Sequence, residues 1–170
     1  MLNHSLVKMF FGIVASMLVI AFLLAAFKLM RADFSALQYG RIPGGTKVAD
    51  VDLGKWETSV QNLKRIHLID PENISVIKSL ANLYQLRGVI ESDPDVLGNV
   101  FFDEALKYNK LGLVNSPNDP YLWANVTKIL AYTNSDSEEF TKAYEKAYLL
   151  AGHDKYLRKS LNIPDIPDVE

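Results

Sequence analysis

The chain has 170 residues, 49% of them hydrophobic and 22% charged, which suits one small domain and little more. With 18 Lys and Arg against 20 Asp and Glu the formal charge is −2, so the strongly basic face that neutralises nucleic-acid phosphates is missing and no nucleic-acid partner is expected. Zero cysteines exclude a disulfide framework, thiolate metal sites and a cysteine nucleophile, and fit reducing and oxidising compartments alike.

Residues 1–8 form a short N-terminal tail, and residues 9–27 carry no charged side chain. At ~1.5 Å rise per residue such a stretch matches the ~30 Å hydrocarbon core of a bilayer, and Lys8 at one end with Lys28 and Arg31 at the other bound it. A cleaved secretory signal is the competing reading. Its apolar region stops at about 7–15 residues, and Leu24-Ala25-Ala26 offers a poor small-x-small cleavage site, so a single uncleaved transmembrane helix is expected. Gly12 and Ser16, four apart, provide a small-xxx-small spacing for helix-mediated self-association. Two rules conflict over orientation. The leading side has Lys8 and the trailing side Lys28, Arg31, Arg41 and Lys47, a bias that keeps the C-terminal domain in the cytoplasm. A short tail before a lone signal-anchor sends the following domain across, since long domains translocate largely regardless of charge. Export is the expectation: a single-pass protein of a bacterial inner membrane with its C-terminal domain in the periplasm.

Residues 28–53 read as a linker, with Gly40, Pro43, Gly44 and Gly45 concentrating turn formers and no apolar period. Gly45-Thr46-Lys47 lacks the Gly-Lys-Ser/Thr order of a phosphate loop. Residues 28–170 hold 17 basic and all 20 acidic side chains, a mildly acidic balance that does not favour adhesion to anionic lipid.

From Gly54 onward apolar residues recur at spacings of three and four: Trp56, Val60, Leu63, Ile66 and Ile69, then Ile77, Leu80, Ala81 and Tyr84, then Phe102, Ala105 and Leu113. That period belongs to amphipathic helices and not to strands. Trp123, Val126 and Leu130, then Phe140, Ala143, Ala147 and Leu150, mark two more. Asp119 before Pro120 supplies a capping carboxylate and a first-turn proline, and Ser135 with Glu138 reads as a capping box ahead of Phe140. The predicted fold is all-α.

The order of these marks resembles the tetratricopeptide repeat, a helix pair of about 34 residues. One unit has Ile77, Leu80, Ala81, Tyr84 and Gly88 in its first helix and Phe102, Ala105, Gly112 and Leu113 in its second, closing at Pro117-Asn118. Trp123 opens the next unit in register, and residues 56–69, ended by Pro71, form a preceding half unit. Pro71 and Pro117 stand 46 apart, about 12 more than the repeat. The excess falls at residues 89–99, where Pro94 and Gly98 mark an inserted loop. Asn109, Val126 and Asn134 depart from the pattern. The resemblance covers residues 54–151 and implies a short α-solenoid of about two and a half helix-turn-helix repeats behind one transmembrane helix, with residues 152–170 adding a short terminal helix and tail. Ala81, Ala105, Gly112 and Ala143 are then expected where helices approach, with Trp56, Tyr84, Phe102 and Trp123 filling the space between layers.

No constellation for chemistry emerges. His4, His67 and His153 are scattered, without HExxH spacing or a serine elbow, so neither a metal nor any other cofactor is expected, nor an enzyme. Glu138-Glu139 opens a helix, where carboxylates meet the positive end of the dipole. Asn73-Ile-Ser75 and Asn125-Val-Thr127 match glycosylation acceptors but fall in or at the start of predicted helices. The repeat resemblance instead implies a concave face, lined by the first helix of each pair, that holds a protein segment. Its register assigns Ser75, Lys78, Asn82 and Gln85 from one helix, and Tyr121, Ala124, Lys128 and Ala131 from the next. In the variety of these repeats that clamps a peptide's C-terminal carboxylate, Lys and Asn stand four apart on one first helix with an Asn on the next. Lys78, Asn82 and Asn125 occupy matching positions, while the further basic pair of that family is represented only by Lys155 and Lys159.

The whole layout, with Asn118-Asp-Pro-Tyr-Leu-Trp123 and a closing Ala147-Tyr-Leu-Leu-Ala-Gly152, looks like that of small anchored helical proteins of bacterial exopolysaccharide biosynthesis. The expectation is a membrane-anchored adaptor that positions a protein partner in an envelope assembly. Two alternatives stand beside it: a structural subunit that contacts its complex through the span, its concave face empty or filled by residues 89–99, and an accessory that touches glycan through Tyr121 or Tyr156.

Overall fold

The computed structural model describes residues 12–27, 30, 52–91, 97–152 and 154–162. Among them every element is a helix: α1 (12–27), α2 (Leu53–Ile69), α3 (Ile74–Ile90), α4 (Leu97–Asn115), α5 (Pro120–Thr133), α6 (Glu138–Ala151) and α7 (Lys155–Ser160). Among the described residues no helix is long and apolar enough to cross a membrane. The expected span lies partly outside them, since residues 9–11 are not described; the linker at 31–51 and the tail at 163–170 are outside as well. The side chains of α1 are exposed along its length, and the Ser16 hydroxyl donates to the Gly12 carbonyl at 2.9 Å.

Short polar residues fix where the helices begin, because the first amides of a helix lack intrahelical acceptors. The Asp52 carboxylate accepts from the amides of Gly54 and Lys55, the Asn73 side chain from Val76, the Asp119 carboxylate from Tyr121 and Leu122, and that of Asp154 from Leu157. At α6 the structure corrects the sequence reading. Ser137, not Ser135, is the cap: its hydroxyl oxygen accepts from the Phe140 amide at 3.1 Å and donates to the Asn134 carbonyl at 2.8 Å. The Ser137 amide also closes the turn onto Asn134, which seats it at the helix mouth and leaves Ser135 outside.

The inserted loop at 89–99 is likewise shorter than expected. Val89 and Ile90 complete α3, and α4 already begins at Leu97. The Arg87 guanidinium pairs with Glu91 at 2.5 Å across one turn, and the Glu91 amide donates to the Arg87 carbonyl, so the helix holds through its last turn. Five of the eleven residues assigned to the loop therefore belong to helices.

From α2 onward each helix packs on its neighbours in sequence, α3 against α4 and α5 against α6 most intimately, with α2 on α3, α4 on α5, and α7 on both α5 and α6. Val60 and Leu63 of α2, Val76, Ile77, Leu80 and Leu83 of α3, Phe102, Ala105 and Tyr108 of α4, and Ile129 of α5 share one buried cluster. A second, with Val126, Leu130 and Ala143, joins α5 to α6, and a third, with Ala124, Ala147, Ala151, Leu157 and Leu161, seats α7. At ~1.5–3 kcal/mol for each fully buried aliphatic side chain, these clusters outweigh any single polar contact. The helices approach closely at Gly88, where a Cβ would lie 2.7 Å from the Phe102 ring, and at Gly112, where it would lie 2.9 Å from a Leu122 methyl. Trp56 meets Tyr84 and Phe101 edge-on at 5.8 and 5.7 Å, and its indole N–H donates to the Leu83 carbonyl. His67 stands edge-on to Tyr108 at 5.7 Å, and burial pushes its imidazole pKa below the usual value.

Candidate functional site

Three helices that are not consecutive in sequence, α3, α5 and α7, meet side by side, and polar contacts mark the seams. The Lys78 ammonium pairs with the carboxylate of Asp119, the residue that caps α5. Four residues further along α3 and six beyond Asp119, the Asn125 amide donates to the Asn82 side-chain oxygen at 3.1 Å. Both pairs advance in the same direction, so α3 and α5 run parallel. The Tyr121 hydroxyl donates to the Asp154 carboxylate at 2.5 Å, setting the start of α5 against the start of α7. That bond raises the tyrosine pKa and lowers the aspartate pKa, because it stabilises the neutral phenol and the charged carboxylate together.

The sequence-assigned residues divide on this surface. Ser75, Lys78, Asn82 and Gln85 form one stripe on α3, Asn82 exposed and the others half-buried. Tyr121, Asn125 and Lys128 form a stripe on α5 at spacings of four and three, with Tyr121 exposed and the other two half-buried. Ala131 is exposed one turn beyond Lys128. Ala124 is corrected: at 1% exposure it belongs to the cluster beneath α7 and offers nothing to a ligand. Tyr121 and Lys128, three and four residues away, share its side of the helix, but Ala124 alone of them joins the cluster with Leu157 and Leu161, and α5 buries a wide arc because α4, α6 and α7 all pack on it.

Lys128 is the electrostatic singularity of the face. Burial pushes its ammonium pKa below the usual lysine value, and it has no hydrogen bond or ion pair with any described residue. Asp119 satisfies Lys78, whose side chain is still 35% exposed. Lys155 and Lys159 project from α7 into solvent. The surface thus combines amide donors, one paired ammonium group and three without a partner among the described residues, and the Tyr121 ring. This set can hold an extended acidic segment, since charge-assisted hydrogen bonds are the strong ones.

Asp119 was legible only as a helix cap, and Asp154 was not singled out by the sequence; that each also bridges to a neighbouring helix depends on partners 41 and 33 positions away, a distance no local pattern carries. On another side of the molecule, Leu113, Val114, Trp123, Val126 and Ala143 line an apolar groove of about 320 Å³ between α4, α5 and α6, bridged by the 2.6 Å pair of Lys110 and Glu139. Among the described residues no group of three or more His, Asp or Glu side chains is placed to hold a metal ion. Tyr156, the other aromatic assigned to glycan contact, is 88% exposed, whereas the Tyr121 hydroxyl is engaged by Asp154.

No protein-family model matches the chain, and no curated protein matches it either.

Proposed function

We propose that the protein is a membrane-tethered, tetratricopeptide-like adaptor whose α3–α5–α7 face holds an extended, acidic segment of a protein partner. The observation that carries this reading is Lys128, a half-buried ammonium with no counterion among the described residues, three residues from Asn125 in a stripe of polar groups. A partly desolvated charge is costly when unpaired, and an incoming carboxylate relieves that cost. Asn82 and Asn125 already meet and Lys78 lies one turn away, which supports a donor set for a peptide's acidic end. To join that set fully, Lys78 must leave Asp119. Residues 9–27 serve as the tether in this reading, with the helical domain on the periplasmic side of a bacterial inner membrane and catalysis left to a partner, such as the machinery of polysaccharide biosynthesis or export.

The exposed apolar surface of α1 favours the rival in which the span itself is the contact. A photo-crosslinking amino acid at Asn82, in cells carrying either the native residues 9–27 or an unrelated membrane span, separates the two. The adaptor reading expects the same crosslinked partner with both spans and its loss when Lys128 is replaced by Glu. Crosslinks that vanish with the span swap, or that survive Lys128→Glu, overturn it. A reporter fused after Glu170 checks the periplasmic placement.

A further inference from the structure

We propose that the edge where α2, α4 and α6 end docks on an anionic bilayer surface, with Leu68, Val114 and Leu149 set among the lipid headgroups and Lys64, Arg65, Lys110 and Lys146 against their phosphates. Resting on the tether of the reading above, this docking gives the held domain an orientation.

The three aliphatic residues hold one position in the succession of helices. Leu68 stands five residues before Asn73, the cap of α3; Val114 stands five before Asp119, the cap of α5; and Leu149 stands five before Asp154, the cap of α7. They are 82%, 78% and 72% exposed. One exposed aliphatic side chain is ordinary, but the same position left uncovered at the end of every second helix makes a row. None of the three belongs to a buried cluster, so packing within the domain does not account for them.

Topology aligns the row. Trp56 meets Phe101 and His67 meets Tyr108, so α2 and α4 lie beside each other and run parallel, and the Lys110–Glu139 pair joins α4 to α6. Packed neighbours joined by short loops run antiparallel, which sends α2, α4 and α6 one way and α3, α5 and α7 the other. The aliphatic row and the α3–α5–α7 face thus belong to different layers of the domain, and docking by one leaves the other open to a partner.

Charge selects the occupant. Over their last seven residues the three helices carry Lys64, Arg65, Lys110 and Lys146, all exposed, against Glu145 as the one carboxylate. Each aliphatic side chain has one of these cations three or four residues before it, on the same side of its helix. The other acids of these helices, Glu57, Asp103, Glu104, Glu138 and Glu139, lie in the first half of each, so the mildly acidic balance of the whole conceals a basic edge. Bases near helix C-termini also suit the helix dipole, but the dipole gives no reason for aliphatic neighbours. Lysine and arginine beside exposed aliphatic residues match a surface with phosphates outside and acyl chains beneath.

The test uses the full chain reconstituted in vesicles. The chain has no cysteine, so Leu68→Cys, Val114→Cys, Leu149→Cys and, as the reference, Ala131→Cys on α5 each take one thiol-reactive dye. In vesicles of phosphatidylcholine and phosphatidylglycerol in equal parts, brominated acyl chains should quench the first three dyes several-fold more than the dye at position 131. Combining Lys64→Gln, Lys110→Gln and Lys146→Gln, all at exposed positions that the fold does not need, should remove most of that difference. Salt at about 1 M, where the Debye length is ~3 Å, should do the same. Equal quenching at all four positions overturns the proposal, as does undiminished quenching of the three dyes in vesicles of phosphatidylcholine alone. Shielding of the three dyes from aqueous iodide in detergent micelles that is lost on dilution also overturns it, by assigning the row to a second copy. Flotation with the vesicles reads the tether separately. A chain that still floats in high salt, with its three dyes no more quenched at low salt than the reference, sinks the docking alone. A chain that salt releases, although its three dyes were quenched beforehand, sinks the tether alone.

Discussion

Gly88 shows how one residue sets the distance between two helices. It lies buried near the end of α3, and a Cβ there would stand 2.7 Å from two carbons of the Phe102 ring. The ring is 3% exposed and stacks on Tyr132 at 5.5 Å, so it has no room to yield. Gly88→Ala gains at most about 1 kcal/mol of helix propensity but overpacks the α3–α4 contact at about 1–3 kcal/mol, and net destabilisation is expected. Thermal unfolding of the variant checks the sign. Gly112→Ala is the control: its nearest atom, at 2.9 Å, is the methyl end of Leu122, a side chain that can rotate where a ring cannot, so the smaller loss is expected there. The sequence showed that small residues fall at these positions. It did not show which neighbour each admits, because that depends on how the helices are phased against one another.

At the scale of the element, Asp119 does two things with one carboxylate. It caps α5 by accepting from the amides of Tyr121 and Leu122 at 3.0 and 3.2 Å, and it pairs with Lys78 of α3. The two roles separate by substitution. Asp119→Asn keeps a capping oxygen and loses only the ion pair, worth about 1 kcal/mol where the lysine still meets solvent. Asp119→Ala loses both, adding the ~0.5–2 kcal/mol of a missing cap. Urea unfolding of both variants, each with and without Lys78→Met, tests this. The Asn variant should show little further loss when Lys78 is removed, and equal costs for Asn and Ala would mean that the cap contributes nothing. The capping role was legible because Asp-Pro is a local helix-start signal. The choice between Ser135 and Ser137 for α6 was not legible, since both precede acidic residues and only the turn closed onto Asn134 selects Ser137.

Across the whole molecule, the helices are coupled by shared clusters more than by any one contact. Ile129 of α5 lies in the same buried cluster as Val76, Ile77 and Leu80 of α3 and Ala105 of α4, while Val126 and Leu130 beside it pack with Ala143 of α6. Ile129→Ala should cost about 2–5 kcal/mol, as cavities of that size do. Because stacked helical units draw stability from their interfaces, the loss should spread. Hydrogen exchange is expected to quicken in α3 and α4 as well as in α5 and α6; acceleration confined to α5–α7 would mean that the two halves open independently.

The sequence by itself determined the helices, since the three-and-four spacing of apolar residues is an angular property of one chain segment and survives without any partner. It also placed Lys78, Asn82 and Asn125 at workable positions, because residues four apart share a helix face. The tertiary structure alone decided that Asp119 captures Lys78, that Ala124 is covered while Lys128 stands half-buried with no counterion among the described residues, and that α3, α5 and α7 lie side by side. Those outcomes depend on which helix packs on which and at what rotation, a sum over many long-range contacts that no local spacing encodes.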